Sequence, residues 1–140
     1  MFNSAKIFNI NSKEEFENYS IQIFKHQFQN NNIYREFCKL TGKDIEKIKS
    51  SIEIPFLPIQ FFKTHKIVSS KKQIKKIFHS SGTTENNLSK HHIVDIKLYE
   101  DCFSKIFIEN YGKPTNYNII ALLPTYIENK NSSLIYMVNN

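Results

Sequence analysis

The apolar residues of the first forty positions recur at the spacing of amphipathic helices. Ser12 and Glu15 stand three residues apart, which is the spacing of a capping box at a helix start. The apolar positions that follow form one stripe, made of Phe16, Tyr19, Ile23 and Phe28. The pattern predicts a helix that ends at the polar break 29–32, and a second helix over 33–40 that is followed by Gly42.

A third helix is predicted after Asp95, because aspartate caps helix starts. Its apolar positions keep helical spacing and are Ile96, Tyr99, Phe103, Ile106 and Phe107. Gly112 stands where a helix end favours glycine, since glycine adopts the left-handed conformation without strain. The helix is therefore expected to bury one face.

Two short apolar runs flank this helix. Residues 73–78 indicate a strand, and residues 118–123 form an almost continuous apolar run that Pro124 stops. A run without polar alternation is typical of a strand covered on both faces in a parallel sheet. Strand, helix and strand make a βαβ unit, so the sequence predicts an α/β fold. Within one domain, we expect a helical region over 1–50 and an α/β part over 51–140.

The remaining segments are less regular. Two prolines in residues 52–66, Pro55 and Pro58, rule out a regular helix or a central strand at their positions. They predict a packed, ordered connection. Near the end of the sequence, Ser132 predicts a helix that runs to Val138, about two turns, without a glycine at its end. We expect this chain to be the N-terminal part of a longer, truncated domain.

The composition indicates a folded chain. Apolar residues make up 40% of the 140 positions and aromatic residues 14%. A formal charge of +6 is compatible with nucleic-acid binding, but the lysines are scattered. Their densest group, in 71–76, is more typical of a solvated strand edge. No nucleic-acid partner is expected, and a small basic binding module ranks last among the functions considered.

Cysteines and apolar runs bear on the compartment. Cys38 and Cys102 lie in separate predicted helices, outside any CxxC or Cys/His ligand spacing, and are expected to be buried free thiols. No apolar run reaches the about 18 residues needed to span a bilayer, and the N-terminus lacks the apolar core of a signal peptide. The sequence predicts a cytoplasmic protein without a membrane span.

A hydroxyl-rich loop is the main candidate for chemistry, and it comprises Ser80, Ser81, Gly82, Thr83 and Thr84. Hydroxyls and free amides after a buried strand suit the oxygens of a nucleotide phosphate, and Lys90 adds a positive charge. Taken alone, the same string is more often a plain surface turn. The loop lacks the Walker A and dinucleotide-binding spacings, and the five histidines lack the spacing of a metal site.

Three segments occur in a fixed order along the chain. They are Ile-Pro-Phe-Leu-Pro-Ile-Gln-Phe-Phe-Lys-Thr-His-Lys-Ile at 54–67, Phe-His-Ser-Ser-Gly-Thr-Thr at 78–84, and Ala-Leu-Leu-Pro-Thr-Tyr-Ile-Glu-Asn at 121–129 followed by Ser-Ser-Leu-Ile-Tyr-Met at 132–137. Together they resemble the acyl-protein synthetase (LuxE-type) family. That family belongs to the adenylate-forming superfamily with the acyl-CoA ligases, and relatives outside luminescence systems are often called acyltransferases.

The resemblance implies a fold, an activity and site residues. The fold would be the first βαβ elements of an adenylate-forming domain, and the activity would be ATP-dependent activation of a carboxylic acid, typically a fatty acid, for transfer to a thiol. Residues 80–84 match the loop that holds the phosphates of ATP with its Mg²⁺. Pro124 and Tyr126 match the place where related ligases line the acyl pocket, and the alternative for Tyr126 is packing against the sheet.

A second function stays open at this point. The chain is expected to supply only the phosphate loop and one wall of the acyl pocket, with the rest of the active site in a longer parent enzyme. The alternative is a non-catalytic remnant, or one half of a split enzyme that needs a partner chain. An uncovered apolar surface around Ile119, Ile120 and Leu122 would mark that alternative.

Overall fold

A computed structural model describes residues 4–80, 88–123 and 129–140. The chain divides into two compact units, Met1–Lys71 and Lys72–Asn140. The first unit is helical, and the second combines helices with a small sheet. The fold is therefore mixed helix and strand.

Two long helices of the first unit are joined by a single residue. Helix α1 spans Lys13–Asn30 and helix α2 spans Asn32–Leu40. Asn31 ends the first helix, because its amide donates to the carbonyl of Gln27 at 2.9 Å. Its side-chain oxygen also accepts from the amide of Tyr34 at 3.1 Å and so begins the second helix. The predicted polar break is confirmed as one buried asparagine that serves both helices.

The predicted capping box starts α1 in a modified form. The hydroxyl of Ser12 accepts from the amide of Glu15 at 3.1 Å, as expected. The Glu15 carboxylate reaches one residue further back than the motif requires and accepts from the amide of Asn11 at 2.8 Å. Beyond α2, Gly42 takes a φ of 68°, which favours glycine.

The core of the first unit gathers both helices around one aromatic pair. Phe24 and Tyr34 meet edge to face, with ring centroids 6.2 Å apart. Cys38 and Ile48 complete the buried cluster. The predicted connection over 52–66 packs against this cluster through Ile54 and Leu57.

That connection is ordered, as predicted, and includes short helical turns. A 3-10 turn spans Ser51–Glu53, and a short helix, α3, spans Phe61–Thr64. Pro55 is buried, and its carbonyl accepts from the Tyr34 hydroxyl at 2.7 Å. The turn and this hydrogen bond fix the connection against the helices. Two further 3-10 turns span Ser4–Asn9 and Ile45–Lys47.

The second unit is built on a two-stranded hairpin. Strand β1, Lys76–His79, pairs antiparallel with strand β2, Lys90–Ile93. Helix α4, Ile96–Tyr111, follows and begins at Asp95, whose side chain accepts from the amide of Leu98 at 3.0 Å. As predicted, the helix ends at Gly112, where φ is 83°. A 3-10 turn, Pro114–Asn116, and a last helix, α5, Ser133–Val138, complete the unit.

The core of the second unit is aromatic. Phe78 of β1 is 2% exposed and lies between Tyr99 of α4 and Tyr136 of α5, with ring centroids at 5.1 and 5.3 Å. Ile93 and Ile135 are the other buried apolar side chains in the part of this unit that the structure describes. The Tyr136 hydroxyl donates to the Glu100 carboxylate at 2.6 Å and so joins α5 to α4.

The predicted βαβ unit with a strand over 118–123 is wrong for the described residues. Those six residues lie in no strand, and the sheet that forms is an antiparallel hairpin. Among the described residues, parallel pairing is limited to one bridge between His79 and Ser132. An apolar run becomes a strand only where a neighbouring strand satisfies its backbone, and no described residue does so for 118–123.

Candidate phosphate-loop site

The predicted phosphate loop leaves β1 at Ser80, where two hydrogen bonds close its base. The amide of Ser80 donates to the carbonyl of Ser89 at 3.0 Å. The amide of Ser89 donates back to the hydroxyl oxygen of Ser80, also at 3.0 Å. The described residues on either side of 81–87 are therefore joined at the end of the hairpin.

Ser80 has only part of its hydrogen-bonding capacity left for a ligand. Its amide and one lone pair of its hydroxyl are used by Ser89. The hydroxyl proton of Ser80 is still available, because the residue is exposed and its hydroxyl can rotate about the Cβ–Oγ bond to meet an acceptor. Ser80 can therefore donate one hydrogen bond to a phosphate through its hydroxyl, and none through its amide.

The structure places Lys90 beside the loop base. It is the first residue of β2 and lies directly opposite His79 in the register. Lys90 is exposed, so its ammonium group remains hydrated and able to reach an anion at this end of the hairpin. The other predicted phosphate-loop residues, Ser81, Gly82, Thr83 and Thr84, lie outside the described residues.

The predicted acyl-pocket residues, Pro124 and Tyr126, also lie outside the described residues. The chain that follows them returns to the end of β1. The amide of His79 donates to the carbonyl of Asn131 at 2.9 Å, and His79 forms a parallel bridge with Ser132. The downstream flank of the predicted acyl segment and the upstream flank of the predicted phosphate loop therefore meet at His79 and Ser80.

This meeting point is the feature that sequence patterns missed. The hydroxyl of Ser132 accepts from the amide of Ile135 at 3.3 Å, and this helix cap is visible in the sequence. The pairing of Asn131 with His79 is not, because polar residues before a cap carry no information about a distant strand. Helix α5 then fixes the junction, since Ile135 is buried and Tyr136 packs on Phe78.

The described sheet is an antiparallel hairpin, and its parallel contact with Ser132 is an isolated bridge. The rule that ligands bind at the carboxyl ends of parallel strands therefore gives no support to a site here. Across the described ranges, no three His, Cys, Asp or Glu side chains come close enough to hold a metal ion. None of the helices in those ranges has the length and hydropathy needed to cross a membrane.

Comparison with known proteins adds one match. The model of the family described as acyl-protein synthetase, LuxE, matches residues 4–131. The match starts far upstream of residue 52, so α1 and α2 are part of the family's sequence pattern although the three motif segments gave no sign of it. Searches of curated proteins and of solved structures found no match to the chain. Since the family match extends over most of the sequence, the chain belongs to the acyl-protein synthetase (LuxE) family.

Proposed function

We propose that the chain takes part in the ATP-dependent activation of a carboxylic acid, typically a fatty acid, to an acyl-adenylate for transfer to a thiol. One observation carries the proposal. In a member of the acyl-protein synthetase family, the flanks of the candidate phosphate loop and of the candidate acyl segment meet at His79 and Ser80. The phosphate loop and the acyl segment would have to act on the same substrate carboxylate, and their flanks are adjacent.

The proposed reaction has two steps. A carboxylate oxygen of the substrate attacks the α-phosphorus of ATP, and pyrophosphate leaves with the bonding electrons. The sulfur of a thiolate then attacks the acyl carbonyl carbon, and AMP leaves. In the proposal, residues 80–84 and Lys90 orient and neutralise the phosphates, and Pro124 and Tyr126 line the acyl side.

The described residues fit a nucleotide phosphate in part. The Ser80 hydroxyl can donate one hydrogen bond, and the Lys90 ammonium supplies a charge. A protein-built cluster for Mg²⁺ is absent from the described residues. Mg²⁺ is commonly held through substrate phosphates and water rather than by an all-protein cage, so we expect it to arrive with ATP.

Calorimetric titration of the purified 140-residue chain with ATP and Mg²⁺ tests the proposal. Lys90→Gln removes a charge-assisted contact, which is worth about 1.5 kcal/mol or more, so the affinity should fall about tenfold. Lys75→Gln is the matched control, because Lys75 is also exposed but precedes β1 at the other end of the hairpin. Gly82→Trp should abolish binding by filling the loop.

Two results would contradict the proposal. The first is a folded chain, with the helical circular dichroism expected from α1, α2 and α4, that shows no saturable ATP binding. The second is equal ATP affinity of Lys90→Gln and Lys75→Gln. A phosphate site at the loop base should lose affinity when the charge is removed at its own end of the hairpin and keep it when the charge is removed at the other end.

A second candidate function has its own supporting observation. Ile119, Ile120 and Leu122 are 56%, 96% and 104% exposed, in a segment without a neighbouring strand in the described structure. Contiguous apolar exposure of this kind marks an interaction surface. The candidate is a chain that acts only with a partner chain covering 118–123, or a non-catalytic remnant.

An apolar dye and sedimentation test the second candidate. The chain should bind the dye and self-associate, and Ile120→Lys with Leu122→Lys should suppress both, because charges on an exposed strand-like segment oppose pairing. Monomeric behaviour without dye binding would contradict it. ATP binding separates a chain that acts with a partner chain from a non-catalytic remnant, because the remnant should not bind ATP.

A further inference from the structure

An apolar groove runs along α1 in the first unit. Its opposite wall is the segment 51–56, and the cleft between the two has a volume of about 580 Å³ and is open to solvent. Six apolar side chains line it: Phe16, Ile23, Phe24, Ile52, Ile54 and Phe56. This volume lies within the range of small-molecule sites, which are typically lined by apolar and aromatic side chains. We call this feature the α1 groove.

The walls of the α1 groove are fixed. Phe24 is part of the buried core and forms a rigid floor. The carboxylate of Glu17 accepts from the amide of Ser51 at 2.7 Å and from its hydroxyl at 2.9 Å, which ties the opposite wall to α1. Tyr34 holds the next part of that wall through the Pro55 carbonyl. The groove is therefore a built feature of the unit.

The groove also leaves apolar surface uncovered. Ile52 and Phe56 are 82% and 76% exposed, and Phe16 is 52% exposed. Removing each of these side chains from water would contribute favourably to the free energy of binding an apolar ligand. The groove thus combines a rigid floor with a rim that favours an apolar occupant.

We propose that the α1 groove binds the alkyl part of an unbranched acyl chain. The chemical class rests on the proposed acyl-transfer function, whereas the location rests on the groove alone. Its lining on α1 runs from Phe16 to Gln27, about 16 Å at about 1.5 Å per residue. An extended alkyl chain of about a dozen carbons, with C–C bonds of about 1.5 Å in a zigzag, has a similar length.

Charge sets the direction of the bound chain. Glu17 follows Phe16 in α1, and its carboxylate accepts from Ser51, which also lines the groove, so its negative charge disfavours a ligand carboxylate near these two residues. At the other end, Gln27 is shared with a second cavity of about 220 Å³, which is also lined by the polar residues Asn31 and Ser69. The methyl end should therefore lie near Phe16 and the carboxyl end near Gln27.

A chain-length series tests the proposal. The full chain is titrated calorimetrically, without ATP, with hexanoate, octanoate, decanoate and dodecanoate. An alkyl chain with one face open to water should lose about half the full burial gain, so each added methylene should tighten binding about twofold. The gain should level off once the chain outgrows the groove.

Variants locate the binding. Ser20→Trp fills the groove from α1 and should abolish binding, and Phe56→Ser should weaken it several-fold. Leu40→Ser is the matched control, because Leu40 is an 87% exposed apolar residue of the same unit outside the groove. The helical circular dichroism of each variant establishes that it folds.

Three outcomes would overturn the inference. The first is an affinity that does not depend on chain length. The second is equal binding of alkyl carboxylates by Ser20→Trp, Phe56→Ser and Leu40→Ser. The third is a groove occupied by a second copy of the chain, seen as dimerisation that Ser20→Trp abolishes. Failure of the proposed function is distinguishable. A chain that binds dodecanoate in the α1 groove but not ATP would refute the phosphate site alone. A chain that binds ATP, and that binds dodecanoate equally well with and without Ser20→Trp, would refute this inference alone.

Discussion

The hydrogen bond from Tyr34 to Pro55 gives a quantitative test of how the first unit is held together. The Tyr34 hydroxyl donates to the Pro55 carbonyl at 2.7 Å, and both residues are buried. Proline lacks an amide, so this carbonyl is the one backbone hydrogen-bonding group that the residue offers. Tyr34→Phe removes the donor while keeping the ring that packs edge to face on Phe24.

The expected cost follows from stranding a buried acceptor. A carbonyl left without its partner away from water loses about 1–3 kcal/mol, and the bond itself contributes about 1 kcal/mol net. We therefore expect the free energy of unfolding of the first unit to fall by about 1–2 kcal/mol. For a unit of this size, each kcal/mol lowers Tm by about 4–8 °C.

Urea unfolding followed by far-ultraviolet circular dichroism measures the effect, with Tyr117→Phe as the matched control. The Tyr117 hydroxyl also donates to a backbone carbonyl, that of Tyr111, but both residues are exposed. Water can replace that bond, so the control should lose no more than about 0.5 kcal/mol. Equal losses in the two variants would refute the idea that burial of the Pro55 carbonyl makes the bond important.

Three further predictions follow from single contacts. The pKa of Glu17 lies below its ordinary value of 4.5, because the carboxylate accepts from the Ser51 amide and hydroxyl. The stability that the ionised carboxylate contributes should be complete above pH 4.5 and should be lost as the pH falls through the lower pKa of the folded state. Urea midpoints of Glu17→Gln and the unmodified chain should therefore converge in acid, and a pH-independent gap would contradict this. Burial raises the pKa of both thiols, but Cys38 is 0% exposed whereas Cys102 is half-buried, so iodoacetamide should modify Cys102 first; mass spectrometry showing the reverse order would contradict this. Asp95→Ala should lower the unfolding free energy by about 1 kcal/mol in urea melts while Asp95→Asn retains most of it, and equal losses would rule out the cap.

The helices were predictable because their signals are local. Ser12, Asn31 and Asp95 each accept a hydrogen bond from the backbone amide three residues further along the chain, and Gly42 and Gly112 adopt the positive φ expected beyond helix ends. The family resemblance was also predictable, since three motif segments occur in order and the family match confirms it. Such signals involve residues that are close in sequence, so they do not depend on the long-range contacts of the fold.

The contacts that define the candidate site and the α1 groove are of another kind. Asn131 pairs with His79 across fifty-two positions, and the Glu17 carboxylate accepts from Ser51 across thirty-four. Every residue except proline offers the same backbone amide and carbonyl, and a carboxylate can accept from any amide or hydroxyl, so the sequence does not reveal which of these groups pair over such distances. These contacts could be found only from the structure.

The failed strand at 118–123 shows where pattern reading stops. The apolar run predicts a strand that is covered on both faces, and the described residues show neither the strand nor the cover. The apolar side chains do not specify what provides the cover, and no strand of the described residues pairs with the segment: Ile120 and Leu122 are fully exposed. Burial is a property of a segment together with its neighbours. The exposed run is therefore a segment whose conformation a covering partner would change, whereas the wall of the α1 groove is already held by the hydrogen bonds of Glu17 and Tyr34.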